Sequence, residues 1–181
     1  MIAGSVAKRY AKALVEVAGA SAELEAVRQE LTEFADVLRR NRGFRLFVAN
    51  PSVQRRDKVA VFEQIVMALG FRTLTTSFLR ALMQAGRLEG LESILRAYVT
   101  LVDERLGRVK ALVTTATPLP AEQEERLRQR LGEVTGKQVY LEIRDDPSIL
   151  GGLIPQIGSR VYDGSVRAQL LSLREQLAQA V

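Results

Sequence analysis

The sequence predicts an α+β chain, mainly helical. An N-terminal six-helix antiparallel bundle over residues 1–106 is followed by a small α/β domain with a short sheet over residues 107–181. Three observations carry this. Apolar residues recur every three or four positions up to residue 106. Glycines and one Asn-Pro pair interrupt that pattern with short connections, as in an antiparallel bundle. Beyond Gly107 the period falls to 2 and β-branched residues concentrate.

In the first helix Val6, Tyr10, Leu14 and Val17 form one apolar stripe, and Gly19 ends it. Ser21 is placed to cap a second helix with the stripe Leu24, Val27, Leu31, Phe34 and Leu38. GFRLFVAN is a short helical piece stopped by Asn50-Pro51. Ser52 can open the next helix, which Gly70 closes. TLTTSFLRALMQA follows, closed by Gly86. The sixth helix carries Leu88, Leu91, Leu95, Tyr98 and Val102 and stops at Gly107.

VKALVTTA then reads as a strand. PLPAEQEERLRQRLGEVTG reads as a helix, with Pro120 in its first turn, acids after it and Gly136 past its end. KQVYLEI alternates, with Val139, Leu141 and Ile143 on one face. Asp145-Asp146-Pro147 is a turn. Two more strands and a last helix, with Val166, Leu170, Leu173 and Leu177 on one face, complete the reading.

Composition removes several chemistries. The sequence contains no cysteine and no histidine, so it has no disulfide, no thiolate and no histidine general base. No catalytic, cofactor-binding or metal-binding residue is expected. With 26 basic and 21 acidic residues the net charge is +5, an excess that suits an acidic partner without requiring nucleic acid. The longest apolar stretch, 59–71, is broken by Glu63 and Gln64 and is too short to span a bilayer. The opening residues mix Lys and Arg with Glu16 and do not read as a secretory signal. Membrane association is therefore expected only through partners.

The stretch ILGGLIPQIGSRVYDGSV at 149–166 raises the question of a phosphate loop. A Walker-type loop needs a lysine after its last glycine, and Gly158 is followed by Ser159-Arg160 instead. The dinucleotide pattern is absent too. A hairpin fits better. Gly158-Ser159 forms its tight turn, Gly151-Gly152 a bend where another backbone packs closely, and Asp163-Gly164-Ser165 a second turn in which Asp163 or Ser165 caps the last helix.

These residues are also familiar. GGLIPQIGSRVYDGSVRAQLLSLREQL resembles the C-terminal signature of the delta-subunit family of bacterial F-type ATP synthases, the counterpart of the mitochondrial oligomycin-sensitivity-conferring protein. RYAKALVEVA resembles that family's first helix, and VTTATPLPAEQEERLRQRL its linker strand and helix. The resemblance spans the whole chain in order. Its signature residues here are Gly151, Gly152, Gly158, Asp163, Gly164 and Ser165. Departures fall at Pro155, Gln156 and Ser159, and proline leads us to expect an edge or irregular strand there.

The resemblance implies a non-catalytic stator subunit of the proton-driven rotary ATP synthase. Such a subunit clamps the N-terminal helices of the alpha subunits, with the beta subunits as further candidates, to the b subunits of the peripheral stalk. Torque from the rotor is then used for ATP synthesis. The implied place is the cytoplasmic side of the bacterial cell membrane, as a peripheral membrane protein. The first and fifth helices would form the alpha-helix groove, through Tyr10, Ala13, Leu14 and Val17 and through Phe78, Leu79, Leu82 and Met83. Tyr162 and Leu153 are candidates for the stalk-facing surface.

The same residues admit plainer readings. Most groove candidates also suit a core. The arginines at 39, 40, 42 and 45 suit a solvated helix end, and Glu122, Glu124, Glu125, Asp145 and Asp146 suit helix-start and turn chemistry. A basic nucleic-acid-binding adaptor module and a carboxylate enzyme are the competing function classes.

Overall fold

The computed structural model of the chain describes residues 4–171. Six helices succeed one another first: α1 (Gly4–Ala18), α2 (Ser21–Arg40), α3 (Arg42–Ala49), α4 (Arg55–Leu69), α5 (Thr73–Gln84) and α6 (Leu91–Arg105), the last preceded by a 3-10 turn at Leu88–Gly90. Then come β1 (Arg108–Thr115), α7 (Ala121–Thr135), β2 (Gln138–Asp145), a 3-10 turn at Pro147–Ile149, β3 (Gly152–Ile157), β4 (Arg160–Val161) and β5 (Gly164–Ser165). Residues 166–171 are helical. The chain is thus mainly helical with a small mixed sheet toward its C-terminus. It divides into two compact units between Val102 and Asp103.

In the first unit α2 lies against α1, α3 and α5. Its buried face is Leu24, Val27, Leu31, Phe34 and Ala35, the 3.6-residue stripe the sequence shows, with Leu38 only half-buried. Phe34 meets Phe44, Phe62 and Phe71 edge-to-face at centroid distances of 6.4, 5.8 and 6.4 Å, a geometry that favours the ring quadrupoles. The buried Tyr98 of α6 donates its hydroxyl to the Leu24 carbonyl at 3.0 Å. Burial pushes the pKa of that phenol up, so the group stays a donor.

Capping differs from the sequence expectation. Ser21 is the first helical residue of α2 and the cap position is Ala20, without a side-chain bond. Ser52 lies in a turn, and α4 begins only at Arg55. Asn41 does cap α3, accepting from the Phe44 amide at 2.9 Å. The start of α5 has no local side-chain cap. Glu30 of α2 supplies one: its carboxylate accepts from the Arg72 amide at 3.3 Å and from the Thr75 hydroxyl. An anion at a helix N-terminus satisfies free amides and suits the dipole.

The second unit holds a sheet of order β2-β1-β3-β4, with β5 pairing β3. β1 and β2 are parallel, joined through α7; β1 and β3 are antiparallel. The inner face buries Ala111, Val113 and Val139 against Leu131 of α7, with Leu127, Leu141 and Leu153 alongside.

Pro155 departs from expectation: β3 is an interior strand, and Pro155 pairs with Val113 of β1. The reason is directional. The Pro155 carbonyl accepts from the Tyr162 amide at 2.9 Å, so the ring nitrogen also faces away from β1. The missing donor costs nothing on the β1 side and ends the β4 ladder at Val161.

The hairpin turn falls at Gly158-Ser159, with Ile157 opposite Arg160 and Gly158 at φ 60°. A Cβ on Gly152, at φ +81°, would lie 2.3 Å from the Gly164 carbonyl oxygen, so two backbones meet where only glycine fits. Asp163 accepts from the Ser165 amide at 3.0 Å, and Ser165 Oγ accepts from the Ala168 amide at 3.1 Å, capping the helix at 166–171. Leu173 and Leu177 lie outside the described residues.

Two stability outcomes follow from this geometry. Glu30→Ala lowers the unfolding free energy by about 1–2 kcal/mol in urea titrations, because the α5 amides lose their cap. Gly152→Ala costs about 2 kcal/mol or more in the same assay, from backbone strain and the Gly164 contact together.

Candidate functional site

Helix α1 carries two faces. Ala7, Ala11, Leu14, Val15 and Ala18 are buried. The stripe Val6, Tyr10, Ala13 and Val17 lies on the other side: Val6 and Tyr10 are half-buried, Ala13 is exposed and Val17 is 69% exposed. The sequence stripe of Val6, Tyr10, Leu14 and Val17 therefore mixes a core residue with surface ones. Ala7, Ala11 and Ala18 pack inward beside Leu14 and Val15, so α1 sits close to its neighbours, while Val6, Tyr10 and Val17 remain on the outer side.

Helix α5 buries Leu79, Leu82 and Met83, and leaves Phe78 half-buried. The rings of Tyr10 and Phe78 meet edge-to-face, 6.3 Å between centroids at 71°. Of the eight groove candidates, Leu14, Leu79, Leu82 and Met83 are core. Tyr10, Ala13, Val17 and Phe78 remain on an apolar surface shared by α1 and α5. Along α1, Val6 to Val17 spans about 16 Å, three turns of helix.

Charges border this surface. Arg80 of α5 forms a two-point pair with Glu63 of α4, Nε to Oε1 at 2.5 Å and Nη2 to Oε2 at 2.9 Å. The hydrogen bonds from Arg80 hold the Glu63 carboxyl below its ordinary value, against an opposing effect of burial. Arg55 of α4 donates to the Gln84 carbonyl at 2.8 Å, closing the C-terminus of α5. Arg87 donates to the Tyr10 hydroxyl at 2.7 Å, and its guanidinium lies 5.5 Å from that ring's centroid. Sequence reading passed over Arg87. The available signal was Gly86, a helix-ending glycine after which the chain turns back.

The second unit presents a different surface. Leu150, Val161, Tyr162, Val166, Leu170 and Leu171 are large apolar residues with 40–68% of their surface exposed, more than isolated surface residues need. Leu150 adopts φ 66° after the 3-10 turn, a left-handed conformation costing a leucine about 1–2 kcal/mol. The Val166 amide donates to the Gly151 carbonyl at 3.0 Å, which brings Gly151 and Val166 together. Leu153 is half-buried against the sheet core.

The acidic residues are engaged structurally. Glu122 pairs with Arg126 and Glu125 with Arg128 along α7. Asp146 accepts from the Ser148 amide at 2.9 Å, which lowers its pKa and starts the 3-10 turn. Asp145 accepts from the Thr115 hydroxyl at 3.2 Å. Arg39 pairs with Asp36, while Arg40, Arg42 and Arg45 are exposed. Among the described residues no group of three acidic side chains is arranged to hold a metal ion, and no helix is long and apolar enough to cross a membrane.

Comparison with known proteins gives one answer. The family described as the ATP synthase delta (OSCP) subunit matches residues 6–177. ATP synthase subunit delta of Myxococcus xanthus is 40% identical over 99% of this chain and 100% of that protein. Its counterpart in Syntrophus aciditrophicus is 38% identical, with both chains fully covered. A solved chain from the Toxoplasma gondii mitochondrial ATP synthase hexamer superposes with a TM-score of 0.68 at 30% identity, over 95% of this chain and 97% of that one. The nucleic-acid-binding alternative receives no support from them.

The Glu63–Arg80 pair generates a pH prediction. The folded-state pKa of Glu63 is depressed, so the pair's stabilisation is complete above the ordinary value of 4.5 and is lost as pH falls through the lower folded value. The stability difference between the wild type and Glu63→Gln, followed by thermal melts from pH 7 to pH 3, stays constant down to about pH 5 and then shrinks. High salt reduces it at every pH, because both groups are only half-buried and remain in reach of solvent ions.

Proposed function

The chain belongs to the ATP synthase delta (OSCP) subunit family, and from that premise we propose which of its surfaces hold the complex together. The subunit is a stator component of the peripheral stalk. It is structural and not itself catalytic. Residues 1–106, taken as an antiparallel six-helix bundle, grip an N-terminal helix of an alpha subunit of the catalytic head. Residues 107–181 hold the b subunits of the stalk. The subunit works on the cytoplasmic side of the bacterial membrane and reaches the membrane only through the complex.

The observation that supports the head-binding assignment is the shared surface of Tyr10, Ala13, Val17 and Phe78. Apolar residues that pack outward at i, i+3 and i+7 form a receiving face for an amphipathic helix. Ala13 gives that face its depth, since a methyl group lets a second helix approach closely. Buried Leu14, Leu79, Leu82 and Met83 stiffen the floor beneath it. The exposed apolar residues from Leu150 to Leu171 support the stalk assignment.

The mechanical logic is simple. Torque on the rotor turns the head unless the head is tied to the static stalk. A tie needs rigid units and slowly dissociating contacts, and needs no reacting group.

Ala13→Asp tests the head-binding surface. Ala13 is exposed, so circular dichroism of the variant stays native. Its affinity for a synthetic N-terminal helix of the alpha subunit, measured by calorimetry, falls at least about tenfold. A native spectrum with unchanged affinity refutes the assignment. Leu14→Asp is the contrasting control and loses helicity, because Leu14 is core.

A further inference from the structure

We infer that Arg87 and Tyr10 together form a carboxylate-binding corner on the α1/α5 surface, which takes an Asp or Glu side chain of the bound amphipathic helix and thereby sets its register. This rests on the head-binding assignment above and extends it from apolar fit to charge recognition.

Backbone geometry positions Arg87. Gly86 at φ +64° donates to the Met83 carbonyl at 3.1 Å, and the Arg87 amide donates to the Leu82 carbonyl at 2.8 Å. These two bonds make a Schellman closure that turns the chain back on itself just past α5. The Arg87 side chain then lies over Tyr10, donating to its hydroxyl and stacking toward its ring. The ring is itself fixed edge-on by Phe78.

Three arginines, on α4, on α5 and just before α5, are already engaged. Arg80 is bound to Glu63, Arg72 to Glu30 and Arg55 to the Gln84 carbonyl. Arg87 is exposed and has no carboxylate partner among the described residues. One of its five N–H groups is used by Tyr10. The Tyr10 oxygen is the acceptor in that bond, so the phenol proton remains available to another acceptor. Two donors, one of them charged, therefore sit together at an apolar surface. A carboxylate matches them in charge and in its two-oxygen geometry.

The test uses the full chain and a synthetic N-terminal helix of the same organism's alpha subunit, with calorimetry at low and high salt. Arg87→Gln weakens binding by about tenfold to a hundredfold and flattens its salt dependence. Tyr10→Phe weakens it by a smaller factor, with the melting temperature unchanged. Arg87→Glu weakens it further, and one Asp or Glu to Lys change in the peptide restores affinity to that variant while weakening binding to the wild type. A structural pin between α1 and α5 shows no such rescue.

Wild-type affinity in Arg87→Gln and Arg87→Glu, or failure of every charge-swapped peptide to rescue, overturns the inference. If Ala13→Asp still abolishes binding, the head-binding assignment survives that failure. If Ala13→Asp is also without effect, both fall.

Discussion

The helical unit depends on the buried face of α2, and above all on Phe34. One ring meets three others, from α3, from α4 and from the connection into α5. Two turns of the same helix add polar ties. Glu30 satisfies the free amides of α5, and the Leu24 carbonyl receives the hydroxyl of Tyr98. Apolar contact gives α2 its affinity for its neighbours; the directional bonds fix where α5 and α6 stand along it. Removing Phe34 would leave a cavity shared by several elements, so the loss would spread rather than stay local.

That arrangement explains how an outward apolar surface stays ordered. α5 is anchored at its start by Glu30, at its end by Arg55 and the Gly86 turn, and on one flank by Glu63. Its inner residues are committed to the core. Phe78 is then free to face outward beside Tyr10 without loosening the helix. A surface held this way loses little conformational freedom on binding, which is what a permanent tie requires.

The sheet unit reaches order by different means. A small core of Ala111, Val113, Val139 and Leu131 is supplemented by close backbone contact at Gly152 and by the Asp163 and Ser165 bonds. The signature glycines therefore shape the backbone that presents a surface, and they bind no phosphate through a lysine, since none follows them. The acidic residues once open to a catalytic reading are spent on helix starts, turns and pairs along α7.

Sequence alone determined the succession of helices and the first strands, the change of period after Gly107, the hairpin at Gly158-Ser159 and the Ser165 cap of the last helix, but not the third strand, β5, beyond the hairpin. These are properties of single residues or of neighbours a few positions apart, and local sterics and hydrogen bonding decide them. Tertiary structure decided the rest. The face of α1 that packs inward, Ala7 and Ala11 rather than Val6 and Tyr10, depends on how closely α2 approaches. The start of α5 is capped by a residue forty-two positions away. Pro155 sits inside the sheet because of the direction its nitrogen faces, which periodicity does not encode. Core and outward-facing residues share one apolar alphabet, and only the packed neighbours separate them.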